Sequence, residues 1–538
     1  MMAASMWFDP QHNVLVYQAR DPRILQYIPA AKMINGEHVM IPVTMTNLQI
    51  MRVLGYPVIR PLDNYDWPRT VAIKAPFHAQ IETANFLAVH PRACCFSDMG
   101  TGKTLAALWA ADALMRDAAA HGQSFRALVV APLSTLQTVW ADAIFKNFMG
   151  RRKALIVHGS NKKRCEILSR PADFYIINND GIKVGAAYIR EKQKHTLDLK
   201  GFSKLLATRQ DIQLAIVDEA ANFRNHTSLR SKVARALFHK IEHLWLMTGT
   251  PTPQGPLDAY GIAMILNGAH NEAFTQFRRR IMYRVDQFKW SPKVGANEAA
   301  HELMKPSIRF KLEDCQDVPS MTVQLREAPL SVEQSMAIHR LERDFILEVN
   351  KGTVTAVHEA ALRIKIIQIA CGAVYDEDHE AHHIDCGPRI ETLKELIEEA
   401  GGKVIIFAPF TSVVDMLNTT LQEYSREVID GRVPFQIRNN IIYKFQNEPD
   451  PKILIAQPET IQEGQTLTAA ATIIWFAPVD KTKTYIQACE RIHRPGQTRH
   501  CVVINLAATD VEMKTYHRLE HNQSMQGILL ELVEGKRK

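Results

Sequence analysis

The stretch SDMGTGKT (97–104) sets glycines, a lysine and a threonine in the order that grips a chain of phosphates. It follows an apolar run, ACCF (93–96), and opens a helical stretch. Gly100 and Gly102, with Thr101 between them, let backbone N–H groups approach phosphate oxygens, and the helix start aims further N–H groups at the anion. Lys103 suits the β- and γ-phosphates, and the Thr104 hydroxyl suits Mg²⁺. The strict pattern opens with glycine. Ser97 stands there instead, and a small residue serves.

A second segment supplies the acids. LAIVDEAAN (214–222) is an apolar strand ending in Asp218 and Glu219, at the edge where open α/β sheets bind ligands. Asp218 suits the metal's water shell. Glu219 suits the base that orients an attacking water. Together the two segments imply ATP with Mg²⁺.

Phosphoryl transfer also needs a cation at the transition state. QACERIHRPGQT (487–498) carries Arg491 and Arg494 about one helical turn apart, and its Pro-Gly reads as the helix stop. An inserted arginine can be worth about 10³–10⁵ in rate. A solvated basic helix face is the plain alternative, but it leaves the upstream GTGKT and DEAA segments unaccounted for.

These residues need rigid elements to hold them. Continuous apolar runs alternate with helical stretches: ACCF, ALVVAP (127–132), YIIN (175–178), LAIVD (214–218) and LWLMTGT (244–250). That pattern predicts a parallel sheet covered on both faces. In the intervening helix Leu105, Leu108, Trp109 and Met115 fall roughly on one face. A second set follows: KVIIFAPF (403–410), REVIDG (426–431), KILIAQ (452–457), TIIWFAP (472–478) and CVVINL (501–506). The expected fold class is α/β. It has an N-terminal accessory α/β module at 1–72, a P-loop lobe at 73–261, a helical segment at 262–385 and a second lobe at 386–538.

Composition bounds the rest. The 538 residues allow about three or four domains. Apolar residues at 46% and charged residues at 22% fit soluble globular protein. The net charge of +7 permits nucleic acid without requiring it. None of the eight cysteines forms a C-x-x-C pair, which argues against structural zinc and a disulfide framework. Cys94 and Cys95 read as buried thiols in a reducing compartment. The N-terminus lacks signal-peptide features, and no apolar run reaches the roughly 18 residues of a membrane span. The expectation is a cytoplasmic monomer with no membrane partner, in a prokaryotic or virus-infected cell.

The chain resembles superfamily 2 motor ATPases of the Swi/Snf-like branch from about residue 73 to 510. DMGTGKT is similar to the family's first motif, with Gln80 upstream where the adenine-contacting glutamine stands. APLSTLQTVW (131–140) resembles motif Ia, VDEAANFRN (217–225) the DEAH segment, and MTGTPTPQGPLDAYG (247–261) motif III with its extension. PSIRFKLEDCQDVPS (306–320) looks like the stretch between lobes. EGQTLTAA (463–470) is similar to motif V, and R-x-H-R-x-GQ to motif VI.

The resemblance implies two RecA-like lobes with ATP between them, and duplex or branched DNA held mainly through phosphates. It implies nucleotide contact for Gly464, and DNA contact or coupling for Thr135, Thr248, Thr250, Thr466 and Gln487. The activity implied is ATP-driven translocation on duplex DNA. A strand-separating helicase and an ATP-gated scaffold for DNA structures are the alternatives.

Three departures imply a divergent member, viral or bacterial. Ala221 stands where the family has histidine, which bears on coupling between hydrolysis and DNA. Motif V reads G-Q-T-L, and PVDKTKT replaces the W-N-P segment. No chromatin-reading extension is present, so nucleosome remodelling is not expected.

Weaker features complete the reading. Residues 30–56 vaguely resemble the substrate-recognition segment of annealing helicases, with a plain structural cap as the alternative. His379, His382, His383, Asp385 and Cys386 match no zinc spacing and read as a solvated loop. Arg278, Arg279, Arg280, Arg284 and Lys289 either track a DNA backbone or form a solvated face. The terminal GKRK reads as a frayed tail.

Overall fold

The computed structural model describes residues 6–9, 11–18, 24–68, 75–191, 194–268, 272–284, 290–315, 319–350, 356–375, 381–461, 465–494 and 496–520. His379, Lys289, Gly464 and the GKRK tail lie outside the described residues. The chain divides into two compact units, with the boundary after Cys315.

The first unit begins with a four-stranded antiparallel sheet in the order Met6–Asp9, Val14–Gln18, His38–Pro42, Lys32–Ile34. Alternation sends Leu15, Tyr17, Val39 and Ile41 into one small core with Leu48 and Met51 of helix Met45–Val53. Thr44 caps that helix, accepting from Asn47 N at 3.1 Å. The helix also reaches past its own module. Buried Gln49 donates through Nε2 to the Ala88 carbonyl at 2.7 Å, and its Oε1 lies 3.1 Å from His243 Nε2. Since Oε1 can only accept, His243 is the donor. Burial lowers the His243 pKa below its ordinary value.

The main sheet of this unit has seven parallel strands in the order Ser307–Ile308, Arg92–Cys95, His243–Met247, Leu214–Asp218, Ala127–Ala131, Phe174–Asn178, Ala154–Ile156. Separate apolar clusters cover its two faces. Cys94 and Cys95 are fully buried, and burial pushes the Cys94 thiol upward. Helix Lys103–Ala120 departs from the one-face reading. Leu105 is half-buried while every residue from Ala106 to Met115 is buried. Its alanines let neighbours approach on all sides, so this helix is enclosed and not amphipathic. Asp112 on it is fully buried, accepts a hydrogen bond from the Tyr65 hydroxyl and pairs with Arg116, Arg151 and Arg152.

The second unit holds a six-stranded parallel sheet in the order Met321–Glu327, Cys501–Ala507, Ala470–Trp475, Lys403–Phe407, Ile453–Ala456, Arg426–Ile429. Its C-terminal helical residues are fastened by a buried ion pair, Arg389 Nη2 to Glu512 Oε1 at 2.7 Å.

The two-lobed α/β fold is therefore the one expected, but the expected helical segment at 262–385 is shared between the units. Helices Asp258–Asn267, Phe274–Ile281 and Ala296–Leu303 and strand Ser307–Ile308 belong to the first. Strand Met321–Glu327 and helices Val332–Asn350 and Ala356–Ala370 belong to the second. Strand Met321–Glu327 is an edge exposed along almost its whole length, so it lacks the apolar run that marks the inner strands. Among the described residues no helix is long and apolar enough to cross a membrane.

Candidate nucleotide-hydrolysis site

Strand register gathers the site. Cys95 pairs with Met247, and Met247 with Asp218. The three loops that follow therefore leave the same edge of the sheet: the P-loop, the DEAA turn and the Thr248–Thr250 turn. The last is stitched to the first, because Thr248 N donates to the Cys95 carbonyl at 3.0 Å. A Cβ on Gly249 would lie 3.6 Å from Met99 N and from the Ser97 carbonyl oxygen.

The P-loop backbone forms an anion cradle. Gly100 and Gly102 hold φ of +83° and +78°, a region that glycine enters without strain. Helix Lys103–Ala120 starts immediately after. A Cβ on Gly102 would meet Gln80 Nε2 at 2.0 Å. Gln80 is itself buried, with Oε1 accepting from Phe77 N at 3.0 Å and Nε2 3.5 Å from the Gly102 carbonyl. Lys103 Nζ donates to the carbonyls of Ser97 at 2.6 Å and Asp98 at 2.8 Å, and Thr101 Oγ1 donates to the Asp98 carbonyl at 2.8 Å. The cradle, its helix terminus and its lysine fit a polyphosphate, and the oxygen donors of Thr104 and Asp218 fit Mg²⁺.

Glu219 adopts φ 54° and ψ 50°, the left-handed region that a side-chain-bearing residue rarely occupies. It is buried at the strand end. Strain of this kind persists only where surrounding structure enforces it, and it clusters at reactive sites. Asp218 is oriented on both oxygens. Oδ1 accepts from Glu219 N at 3.0 Å, and Oδ2 accepts from Trp140 Nε1 at 3.1 Å. Trp140 was legible as the closing residue of the motif Ia segment, but its bond to Asp218 was not.

The DEAA turn is packed tightly behind. Ala221 is fully buried. A Cβ on Gly261 would lie 1.9 Å from the Arg224 carbonyl oxygen, so helix Asp258–Asn267 approaches this turn at backbone distance. Arg224 Nε lies 3.8 Å from Asp258, whose carboxyl burial pushes up to about 6.

Thr135, Thr248 and Thr250 are buried. Thr135 Oγ1 donates to the Pro132 carbonyl at 2.9 Å, and Thr248 Oγ1 accepts from Thr250 N at 3.2 Å. The Thr135 and Thr248 hydroxyls thus brace the turns they sit in.

In the second unit the arginines sit differently from the helical reading. Helix Thr482–Cys489, which carries half-buried Gln487, ends before them with Glu490 as its cap. Arg491 and Arg494 lie in the turns beyond, and both are buried. Arg494 Nε donates to the Glu490 carbonyl at 3.0 Å and Nη1 lies 3.4 Å from Thr466 Oγ1. Burial lowers the Arg494 pKa, and the neighbouring Glu490 opposes that shift. Arg491 Nη1 lies 3.4 Å from the Gln465 carbonyl. Gln497, absent from the expected site, is the structural hub. Its Nε2 lies 3.2, 2.8 and 3.1 Å from the carbonyls of Thr468, Ala470 and Ile492, and its Oε1 accepts from Thr498 N and Arg499 N. His493 Nε2 bonds the Pro319 carbonyl at 2.9 Å. The EGQTLTAA and RIHRPGQT segments are thereby brought together.

The model of the SNF2-related domain matches residues 79–370, and that of the helicase conserved C-terminal domain matches 388–496. These two define a two-lobed ATPase of the helicase class. The chain belongs to the SNF2-related family.

Protein p41 of Acyrthosiphon pisum secondary endosymbiont phage 1 is 23% identical over 481 residues, covering 83% of this chain and 95% of that protein. An ATP-dependent helicase of Mycoplasma genitalium is 24% identical over 450 residues, 81% of this chain and 40% of that protein. The mouse DNA annealing helicase and endonuclease ZRANB3 is 24% identical over 318 residues, 55% of this chain and 28% of that protein. This chain thus spans well under half the length of those two relatives. The Sulfolobus solfataricus SWI2/SNF2 ATPase core, solved in complex with dsDNA, is 20% identical with a TM-score of 0.40, covering 89% of this chain and 97% of that one.

Proposed function

We propose that this chain is an ATP-driven translocase on double-stranded DNA. It would hydrolyse MgATP and act on duplex or branched DNA, or on proteins bound to it. The observation that carries the reading is the common sheet edge from which the P-loop, Glu219 and the Thr248–Thr250 turn emerge, with Lys103 on the cradle and Trp140 holding Asp218.

In this reading the N–H groups around Gly100, Thr101 and Gly102 and the Lys103 ammonium hold the phosphates. Gln80 contacts the base, and Thr104 and Asp218 hold Mg²⁺. Bound Mg²⁺ supplies charge neutralisation on the phosphate oxygens. Glu219, held rigidly at the strand end, orients the water and takes its proton. Arg491 and Arg494 stabilise charge on the transferring phosphoryl group. The Thr135, Thr250 and Thr466 segments relay DNA occupancy, and Gly464 and Gln487 complete the nucleotide and coupling segments of the second unit. DNA is contacted chiefly through phosphates, which fix position and carry no sequence information. The name of the annealing-helicase relative supports DNA as the substrate.

The deciding experiment compares steady-state ATPase without nucleic acid and with single-stranded, duplex and forked DNA and RNA. The Lys103→Ala protein sets the background. Strong stimulation by duplex or forked DNA supports the translocase, and displacement of a triplex-forming strand then reports movement. Preference for single strands or RNA overturns it in favour of a strand-separating helicase.

A further inference from the structure

The segment that ends the first unit is bonded to the strand that leads into the P-loop and to the first two residues of the loop itself. Cys94 N donates to the Pro306 carbonyl at 2.9 Å, Phe96 N to Ile308 at 2.8 Å and Asp98 N to Phe310 at 3.0 Å. Side chains reinforce this ladder. Ser97 Oγ accepts from Phe310 N at 3.0 Å. The Asp98 carboxylate takes Arg309 Nη2 on Oδ1 at 3.3 Å and Leu312 N on Oδ2 at 3.2 Å. Arg309 is 4% exposed, while the Asp98 side chain is 28% exposed, so the pair is shielded from water on its arginine side.

The location matters because of Lys103. Its ammonium rests on the carbonyls of Ser97 and Asp98, the two residues that the 309–312 segment clamps. A lysine turning toward phosphate must give up those carbonyls. The first unit ends at Cys315, three residues beyond Leu312. The chain leaving for the second unit is thus fastened to the two residues most exposed to that exchange.

We infer that Arg309 is a positioning residue that ties the nucleotide state of the P-loop to the connection between the units. It acts through Asp98 and touches no reacting atom. Nucleotide binding alters the clamp on residues 309–312, and the altered clamp is passed along the chain. The inference rests on the ATPase reading above, and it names the route by which one side of the cycle reaches the other.

The test uses the full chain as wild type, Arg309→Gln and Arg309→Lys. Glutamine keeps polar volume and removes the charge. Lysine keeps the charge and can reach one carboxylate oxygen. Amide hydrogen exchange of residues 309–327 is measured with and without MgADP, alongside ADP affinity and DNA-free and DNA-stimulated ATPase. In the wild type, MgADP should change exchange in 309–327. In Arg309→Gln the P-loop should still be protected and ADP affinity should stay within about 2-fold, while the change in 309–327 disappears. DNA stimulation should fall about 10-fold, within the usual range of coupling between sites. Arg309→Lys should recover most of both.

Retention of the nucleotide-induced change in Arg309→Gln overturns the inference, as does its absence in the wild type. So does parallel loss of ADP affinity, DNA-free rate and melting temperature, which marks a merely structural arginine. A wild type indifferent to DNA would overturn the translocase reading alone, and the exchange data would still decide the role of Arg309.

Discussion

The indole N–H of Trp140 donates to Asp218 Oδ2 at 3.1 Å, while Glu219 N donates to Oδ1 at 3.0 Å. The carboxylate assigned to the metal shell is therefore fixed from two sides. Partners that orient metal-binding carboxylates are commonly worth about 10–100-fold in affinity or activity. Trp140→Phe keeps the buried ring and removes only the donor. It should lower kcat about 10-fold and raise the Mg²⁺ concentration giving half-maximal rate. ADP affinity in EDTA should not change. An Mg²⁺ titration of ATPase activity checks this, and an unshifted midpoint would remove Trp140 from the site.

Glu219→Gln should leave nucleotide binding intact and lower turnover by about 10²–10⁴, the usual share of a positioned general base. A fluorescent nucleotide measures the first and single-turnover hydrolysis the second. Persisting turnover would mean that another group handles the water's proton.

Arg494→Ala should lower kcat far more than it weakens nucleotide binding, by up to about 10³ in rate. Equal loss of affinity with unchanged kcat would make it a ground-state contact. Gln497→Leu makes a useful contrast. It strands carbonyls of Thr468, Ala470 and Ile492, so it should lower the melting temperature as well as the rate.

Gly102→Ala should abolish nucleotide binding while the chain stays folded. Its Cβ would meet Gln80 Nε2 at 2.0 Å, and its φ of +78° disfavours any side chain. Adding Gln80→Ala removes the clash but leaves the backbone strain and takes away the proposed base contact, so rescue should be partial, with Gln80→Ala alone as the reference. Isothermal titration with ADP separates the two contributions.

Asp258 makes stability depend on pH. Burial raises its pKa from 3.8 to about 6 in the folded chain. The folded state therefore holds a proton that the unfolded state has already lost. The resulting stabilisation is complete below about pH 4 and is lost as pH rises through about 6, up to about 3 kcal/mol. Asp258→Asn keeps an acceptor for Gln254 N and removes the titration. Urea midpoints between pH 4 and 8 should fall for the wild type relative to this variant.

Most of the apolar runs were readable because inner parallel strands are buried on both faces and leave continuous hydrophobic stretches, while Arg426–Ile429 is an edge strand and only half-buried. The strands missed were those without that signature. Ala154–Ile156 and Ser307–Ile308 are short, and Met321–Glu327 is an exposed edge. The P-loop, Asp218 and Glu219 were legible because each is local in sequence. Trp140 on Asp218, Arg309 on Asp98 and Gln497 among three carbonyls were not, since pairings across 78, 211 and about 27 residues leave no local pattern. The arginine turn was misread as helix because three-residue spacing does not distinguish a helix from the irregular turns after one.

Gln49 bridges the Ala88 carbonyl and His243, so the polar interior of the motor lobe is completed by a side chain from the small sheet module in front of it. Anyone trimming the chain to the matched span, which opens at residue 79, would remove that side chain and uncover both groups. The trimmed product should express poorly or precipitate. Its failure in a DNA assay would then reflect a damaged lobe, not a lost recognition module. The informative alteration is a change on the module's outer strands, with the Gln49 bridge to the lobe left in place.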